Sequence, residues 1–156
     1  MVYAEKTTVD ASKSRADIEA TVARYGADSF IYGWEAGRAM VAFTMRDRQI
    51  RFLLPMPDRD AAEFTRTPAQ NKPRSPSAAA GLFEQAVRSR YRSLLLIVKA
   101  KLEAVESEIV TFEQEFGLHM VMPDGRTAAE HVTPVIDKAY ELGTMTPMLA
   151  LGQRED

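Results

Sequence analysis

The spacing of apolar residues divides the chain into a short β region flanked by helices. Ile18, Val22 and Tyr25 fall at helical spacing behind Ser14-Arg15-Ala16-Asp17, a capping box with Asp in place of Glu. Gly26 supplies the stop, so a first helix is predicted from near Ser14. Three strands follow. Phe30-Ile31-Tyr32-Gly33-Trp34 is aromatic and β-prone, and Glu35-Ala36-Gly37 turns it. Arg38–Met45 alternates, with Ala39, Val41, Phe43 and Met45 on one face. Arg46-Asp47-Arg48 turns the chain into Gln49–Leu54, where Ile50, Phe52 and Leu54 share a face. Such short connections predict an antiparallel meander.

Residues 55–77 then hold five prolines, which forbid a central strand or a long helix there. A loop this long is usually functional or mobile. From about Ser77 to about Phe116 there is no proline. Val87, Tyr91, Leu94, Val98, Leu102, Val105 and Ile109 repeat at steps of three and four, one continuous apolar stripe. A helix of ~35 residues is roughly 50 Å long, so it bends, breaks near Ser107, or extends past its own core to meet a partner. Gly117 is a plausible end. Leu118–Met122 reads as a short strand and Pro123-Asp124-Gly125 as a turn. Thr127-Ala128-Ala129-Glu130 is a capping box opening a last helix through Leu142, closed by Gly143. Pro134 inside that span predicts a kink or a shifted start. The tail, Thr144–Leu151, is apolar for a terminus, with Met145, Met148, Leu149 and Leu151.

The expected fold is α+β: an N-terminal helix, a three-stranded antiparallel meander, a long amphipathic helix, then a short strand and helix. One domain is expected over residues 1–156, with a mobile, Pro-rich, basic loop at about 55–77 and an acidic part at about 102–156. A chain of 156 residues buries enough surface to need no disulfide or metal staple. It has no Cys, which removes disulfide frameworks, thiolate zinc sites and cysteine nucleophiles. The longest run of large apolar residues, Leu94–Val98, is far short of a membrane span. The acidic, unpatterned N-terminus does not read as a signal peptide. The expectation is cytoplasmic, with no membrane association.

Charge changes the picture more than composition does. Residues 1–45 carry a net −1, residues 46–101 a net +7 from twelve basic and five acidic side chains, and residues 102–156 a net −8. A block of positive charge suits a phosphate backbone, because each neutralised phosphate releases counterions. The alternative is self-complementarity, the basic middle folding onto the acidic tail or onto a neighbouring subunit.

Candidate chemistry is sparse. There is no Gly-x-Ser-x-Gly elbow and no phosphate-cradling glycine loop. His119, Asp124 and His131 could form a metal site, but their spacing matches no known ligand pattern. Glu103, Glu106, Glu108, Glu113 and Glu115 read as a solvated acidic half-helix rather than nuclease carboxylates. No catalytic residue, metal or cofactor is expected.

At 100° per residue Arg88, Arg92 and Lys99 form one stripe on the long helix, and Arg90 and Lys101 a second stripe on the other flank of the apolar seam. Guanidinium groups fork well onto phosphate, although such side chains also snorkel over core edges. Arg46, Arg48, Arg51, Lys72 and Arg74 complete the candidate nucleic-acid-binding set. Phe30, Tyr32 and Trp34 share one strand face, as core or as a stacking surface for bases.

Two segments carry a resemblance. Arg24-Tyr25-Gly26-Ala27 with the aromatic strand after it, and the helical run from Arg90-Tyr91-Arg92-Ser93 through Leu102-Glu103-Ala104-Val105, resemble a family of small proteins encoded by tailed bacteriophages. That resemblance spans Ser14 to Leu149 and implies a viral or prophage origin. By topology alone, a helix, a three-stranded sheet and a long basic helix are similar to the core of single-strand annealing recombinases, the superfamily that includes the phage lambda Red beta protein. That likeness implies an oligomer binding single-stranded DNA along a groove between sheet and helix. The expected function is therefore non-enzymatic binding, with annealing, of single-stranded nucleic acid by a homo-oligomer in phage replication or recombination. The alternative is a phage accessory module that oligomerises or blocks a host protein.

Overall fold

The computed structural model describes residues 2–35 and 37–145. The elements are α1 (Val2–Arg24), β1 (Ser29–Glu35), β2 (Arg38–Met45), β3 (Arg48–Pro55), α2 (Ala62–Thr65), α3 (Pro76–Glu106), α4 (Phe112–Phe116) and α5 (Ala128–Leu142). The fold is α+β, as the patterning predicts. None of the described helices is long and apolar enough to cross a membrane.

The strands form an antiparallel sheet in the order β1-β2-β3. Register pairs Tyr32 with Val41 and Val41 with Phe52, which places the alternating apolar set on one face. That face lies on α1 and α3. Ile18 and Val22 from α1, Val41, Phe43, Ile50 and Phe52 from the sheet, and Phe83, Val87, Tyr91, Leu94, Val98 and Leu102 from α3 make one buried cluster. The apolar stripe read along the long helix is therefore its core seam. Tyr91 donates to the Tyr32 hydroxyl at 3.1 Å, and Arg15 stacks over the Tyr32 ring at 4.0 Å. Burial first, and then the Tyr32 contact, push the Tyr91 hydroxyl pKa up.

Three elements differ from the sequence reading, while α5 keeps its expected limits. The first helix starts at Val2, not near Ser14. No Gly or Pro interrupts residues 2–13, and Ala11 is drawn into the core. Its end follows the expected course: Gly26 has φ +99°, its N–H bonds to Ala23 and that of Ala27 to Val22, a Schellman closure.

The long helix begins one residue early, with Ser75 as N-cap and Pro76 in the first turn, and ends at Glu106 with Ser107 as C-cap, the break near Ser107 that its length allowed, rather than running to Phe116. Glu108 takes φ +60°, the chain reverses, and a Thr111–Gln114 capping box starts α4. The gain from that reversal is burial of Phe112 and Phe116, the latter edge-on to Phe43 at 6.1 Å. Leu118–Met122 is not a strand. It opens with a 3₁₀ turn, Gly117–His119, and then touches the sheet edge through isolated bridges, Val121 N–H donating to the Gln49 carbonyl at 2.9 Å. The turn at Pro123 to Gly125 pulls the chain away before pairing can lengthen.

Finally, α5 runs through Pro134 without ending. Pro134 removes the donor that the Glu130 carbonyl would accept, and the Arg126 guanidinium donates to that carbonyl at 3.2 Å instead. The loop after β3 holds α2 and a closed bend in which Arg66 bridges Pro73. The apolar tail beyond Met145 lies outside the described residues.

Candidate functional site

The ten candidate cations do not form one surface. Two are tied to the acidic third of the chain. Lys101 pairs with the Glu115 carboxylate at 2.9 Å and lies 5.9 Å from the Phe116 ring. Arg51 donates to the Gly125 carbonyl at 2.8 Å and stands 3.7 Å from Glu130, while its Nε is buried without an acceptor among the described residues. Lys101 thus leaves the stripe it shares with Arg90, because α4 folds back alongside it. Arg46 lies over the Phe112 ring at 5.1 Å, on a cleft that Glu106, Glu108 and Glu113 also line. Arg48 is exposed beside it and donates to the Asp47 carbonyl. For Arg51, Lys101 and Arg46 the self-complementary alternative is what the geometry displays.

Lys72, Arg74, Arg88, Arg90 and Arg92 gather on the proline-rich loop and toward the start of α3, whereas Lys99 sits two residues before Lys101. Phe64 of α2 packs edge-on against Phe83 of α3 at 5.8 Å, and Arg59 lies over the same ring at 4.9 Å. This contact carries the proline-rich loop to the basic half of α3. Arg66 and Arg74 brace the loop, Arg66 donating to the Asn71 carbonyl and Arg74 to the Arg66 carbonyl. Lys72 is exposed at its tip, and Arg90, Arg92 and Lys99 are exposed along the helix, with Arg88 half-buried. No groove separates sheet from helix: that space is the apolar core. Phe30 and Tyr32 pack against the core, whereas Trp34 is 68% exposed at the end of β1.

The histidines stand apart. His131 Nε2 is 2.7 Å from the Asp124 carboxylate. A backbone N–H from Arg126, and then His131, hold that carboxyl below its usual range. His119 instead stacks on Phe52 at 4.3 Å, and burial, then Lys101, lower its pKa. Among the described residues no group of three or more His, Asp or Glu side chains is placed to hold a metal ion.

Two exposed apolar faces were not singled out from the sequence. The first is α5, opened by the Thr127–Glu130 capping box and closed by Gly143 at φ +67°. Over fifteen residues none is buried. Val132, Val135 and Ala139 are half-covered, and Ile136, Tyr140 and Leu142 face solvent, Tyr140 with 86% exposure. The second is the side of α3 opposite the core, where Leu96 is 62% and Ile97 47% exposed. The signal for α5 was present in its own three-and-four spacing. For α3 it was hidden because a stronger stripe runs along the same helix. Comparison with family models, with curated proteins and with solved structures finds no match to this chain.

Proposed function

We propose that this protein is a non-enzymatic interaction module, a platform of sheet, α1 and α3 that presents apolar helix faces to other protein. The observation that carries this reading is α5, an amphipathic helix of fifteen residues with none buried. Water-exposed apolar surface in a continuous row is what assembly removes. The acidic third is already answered in part by Lys101, Arg51 and Arg46, which lowers the share of the basic block left for an external polyanion. The likeness to tailed-phage proteins favours an accessory role, by oligomerisation or by covering a host protein.

A second reading keeps single-stranded nucleic acid, with annealing, as the ligand. It is favoured by the packing of Phe64 on Phe83, which brings Lys72 and the neighbouring loop cations to the end of α3 that bears Arg90 and Arg92. Two measurements separate the readings: sedimentation at low and high salt, and gel shifts with single- and double-stranded oligonucleotides at both. An assembly larger than a monomer that persists at high salt, with no shifted oligonucleotide, is the expected result. A monomer that shifts single strands with a steep log-linear salt dependence overturns it in favour of the second reading.

A further inference from the structure

The side of α3 turned away from the core leaves Leu96 and Ile97 exposed. Around the helix the core residues centre on one direction and the 89–104 stretch presents a second row on the other. Ser89, Ser93, Leu96, Ala100 and Ala104 recur at steps of four and three, with Ile97 beside Leu96, while Leu82 and Ala86 continue the spacing but pack against the core. Leu96 and Ile97 stand most clear of the protein at the centre of that row. An apolar row alone would not name its partner, but the charges on its flank do.

Along one flank the charges run from positive to negative. Arg88, Arg92 and Lys99 come first, and Glu103 and Glu106 follow. Parallel pairing of two such helices would set cations against cations and acids against acids. Antiparallel pairing with a twofold axis near Leu96 and Ile97 does the reverse. Arg92 then comes near Glu103 of the second copy, whose carboxylate also accepts from the Tyr25 hydroxyl of its own chain at 3.2 Å, Ser93 faces Ala100, and Ser89 faces Ala104. The two small-residue pairs share one register, Arg92 and Glu103 lie within about 3 Å of it along the axis, and the small residues on either side of the centre let the backbones approach. The twofold returns each flank to the same flank, so these pairs meet on one side of the seam. On the other side Arg90 approaches Lys101, whose charge Glu115 has already met within its own chain. We infer that two copies associate through α3, antiparallel and centred on Leu96 and Ile97, with Arg92 and Glu103 fixing the direction. This rests on the interaction-module reading and names what covers one of its two faces.

The chain contains no Cys, so every introduced thiol is unique. In the antiparallel dimer the two Leu96→Cys sites lie within about 3 Å of each other along the axis, and two Ser89→Cys sites about 24 Å apart. A short bismaleimide should therefore join L96C and leave S89C unjoined. Sedimentation should show a dimer at about 100 µM that R92E weakens by about tenfold and the R92E/E103R double variant restores. Within one chain the two positions are too distant to interact, so rescue reports a contact between copies. Equal cross-linking at Ser89 and Leu96 would mean parallel pairing and overturns the inference. So does an oligomer that cross-links at neither position, although the interaction-module reading then stands. A clean monomer overturns the inference and leaves, of the interaction-module reading, only the covering of a different protein. Circular dichroism of each variant confirms that the fold persists.

Discussion

Lys101 Nζ lies 2.9 Å from the Glu115 carboxylate and 3.3 Å from the Glu115 carbonyl. A cation of the basic block is thereby held by an acid of the following block, fourteen residues on and across a chain reversal. Both side chains are less than a quarter exposed, 22% and 24%. Solvent screening is reduced there but not removed, so the pair should couple by about 1 kcal/mol. A thermal-unfolding cycle of K101M, E115Q and the double variant checks this. E115Q alone should cost more than the double change, because it leaves a half-buried ammonium without its carboxylate. Additive single effects would count against the pair.

The two-residue connection of β2 to β3 is made by Arg46 and Asp47, both with positive φ, +52° and +59°. That hairpin shape suits Asn-Gly or Gly-Gly, since a Cβ crowds the left-handed region. Asp47→Gly should therefore raise stability by about 0.5–1 kcal/mol, read as a higher denaturant midpoint at unchanged slope. Arg46→Gly should gain less, because it also removes the guanidinium lying 5.1 Å from the Phe112 ring. Glu108→Gly at φ +60° is the parallel case at the end of α3. A fall in midpoint for D47G would show that Asp47 makes a compensating contact.

Local pattern carried the reading where each element answered to its own residues. Ala39, Val41, Phe43 and Met45 alternate, and β2 has the expected limits with those four side chains buried. Thr127, Glu130 and Gly143 bound α5 as expected because capping is a short-range bond. The end of α3 was legible only as one of three outcomes: its length called for a bend, a break near Ser107 or an overhang, and what selects the break is the burial of Phe112 and Phe116 against distant Phe43. The fate of Lys101 and Arg51 was illegible for the same reason. Their acceptors, Glu115 and Gly125, come from elements whose approach no spacing encodes. Arg88 and Arg92 could be placed on a stripe, but periodicity does not tell a phosphate-facing stripe from one that faces a second helix.

His119 gives the protein a pH dependence with a definite sign. Burial against Phe52, reinforced by Lys101 and opposed by Glu115, lowers its pKa in the folded state. The unfolded imidazole titrates near its ordinary value of about 6.5. Between that value and the lowered folded one, the unfolded chain binds more protons. Stability should be level above about pH 6.5 and fall as pH drops through the window. His119→Phe keeps a ring on Phe52 and removes the titration, so its stability profile should be flat over the same range. Asp124, held low by Arg126 and His131, gives up its contribution in more acidic solution, as pH falls from about 3.9. A wild-type profile unchanged by H119F between pH 5 and 7, on the order of those values, would assign the slope to another group.

The last prediction concerns the independence of α5. The helix has no buried residue, so its first turns are held by bonds at its start. Thr127 N–H donates to the Glu130 carboxylate at 2.6 Å, and Glu130 N–H to the Thr127 hydroxyl at 3.4 Å. The same bonding draws the Glu130 carboxyl pKa down, with Arg51 and Arg126 adding to it. Arg126 serves the carbonyl that Pro134 leaves without its donor. Thr127→Ala removes the hydroxyl and should cost about 1 kcal/mol locally. Amide exchange across 128–133 should then quicken by about fivefold, while the thermal midpoint moves little, because the core of α1, sheet and α3 does not include α5. Arg126→Ala should fray the same turns through the Glu130 carbonyl. If either variant instead lowers the global midpoint by several degrees, α5 unfolds with the core. Its apolar face would then already be engaged by the protein's own body rather than awaiting a partner.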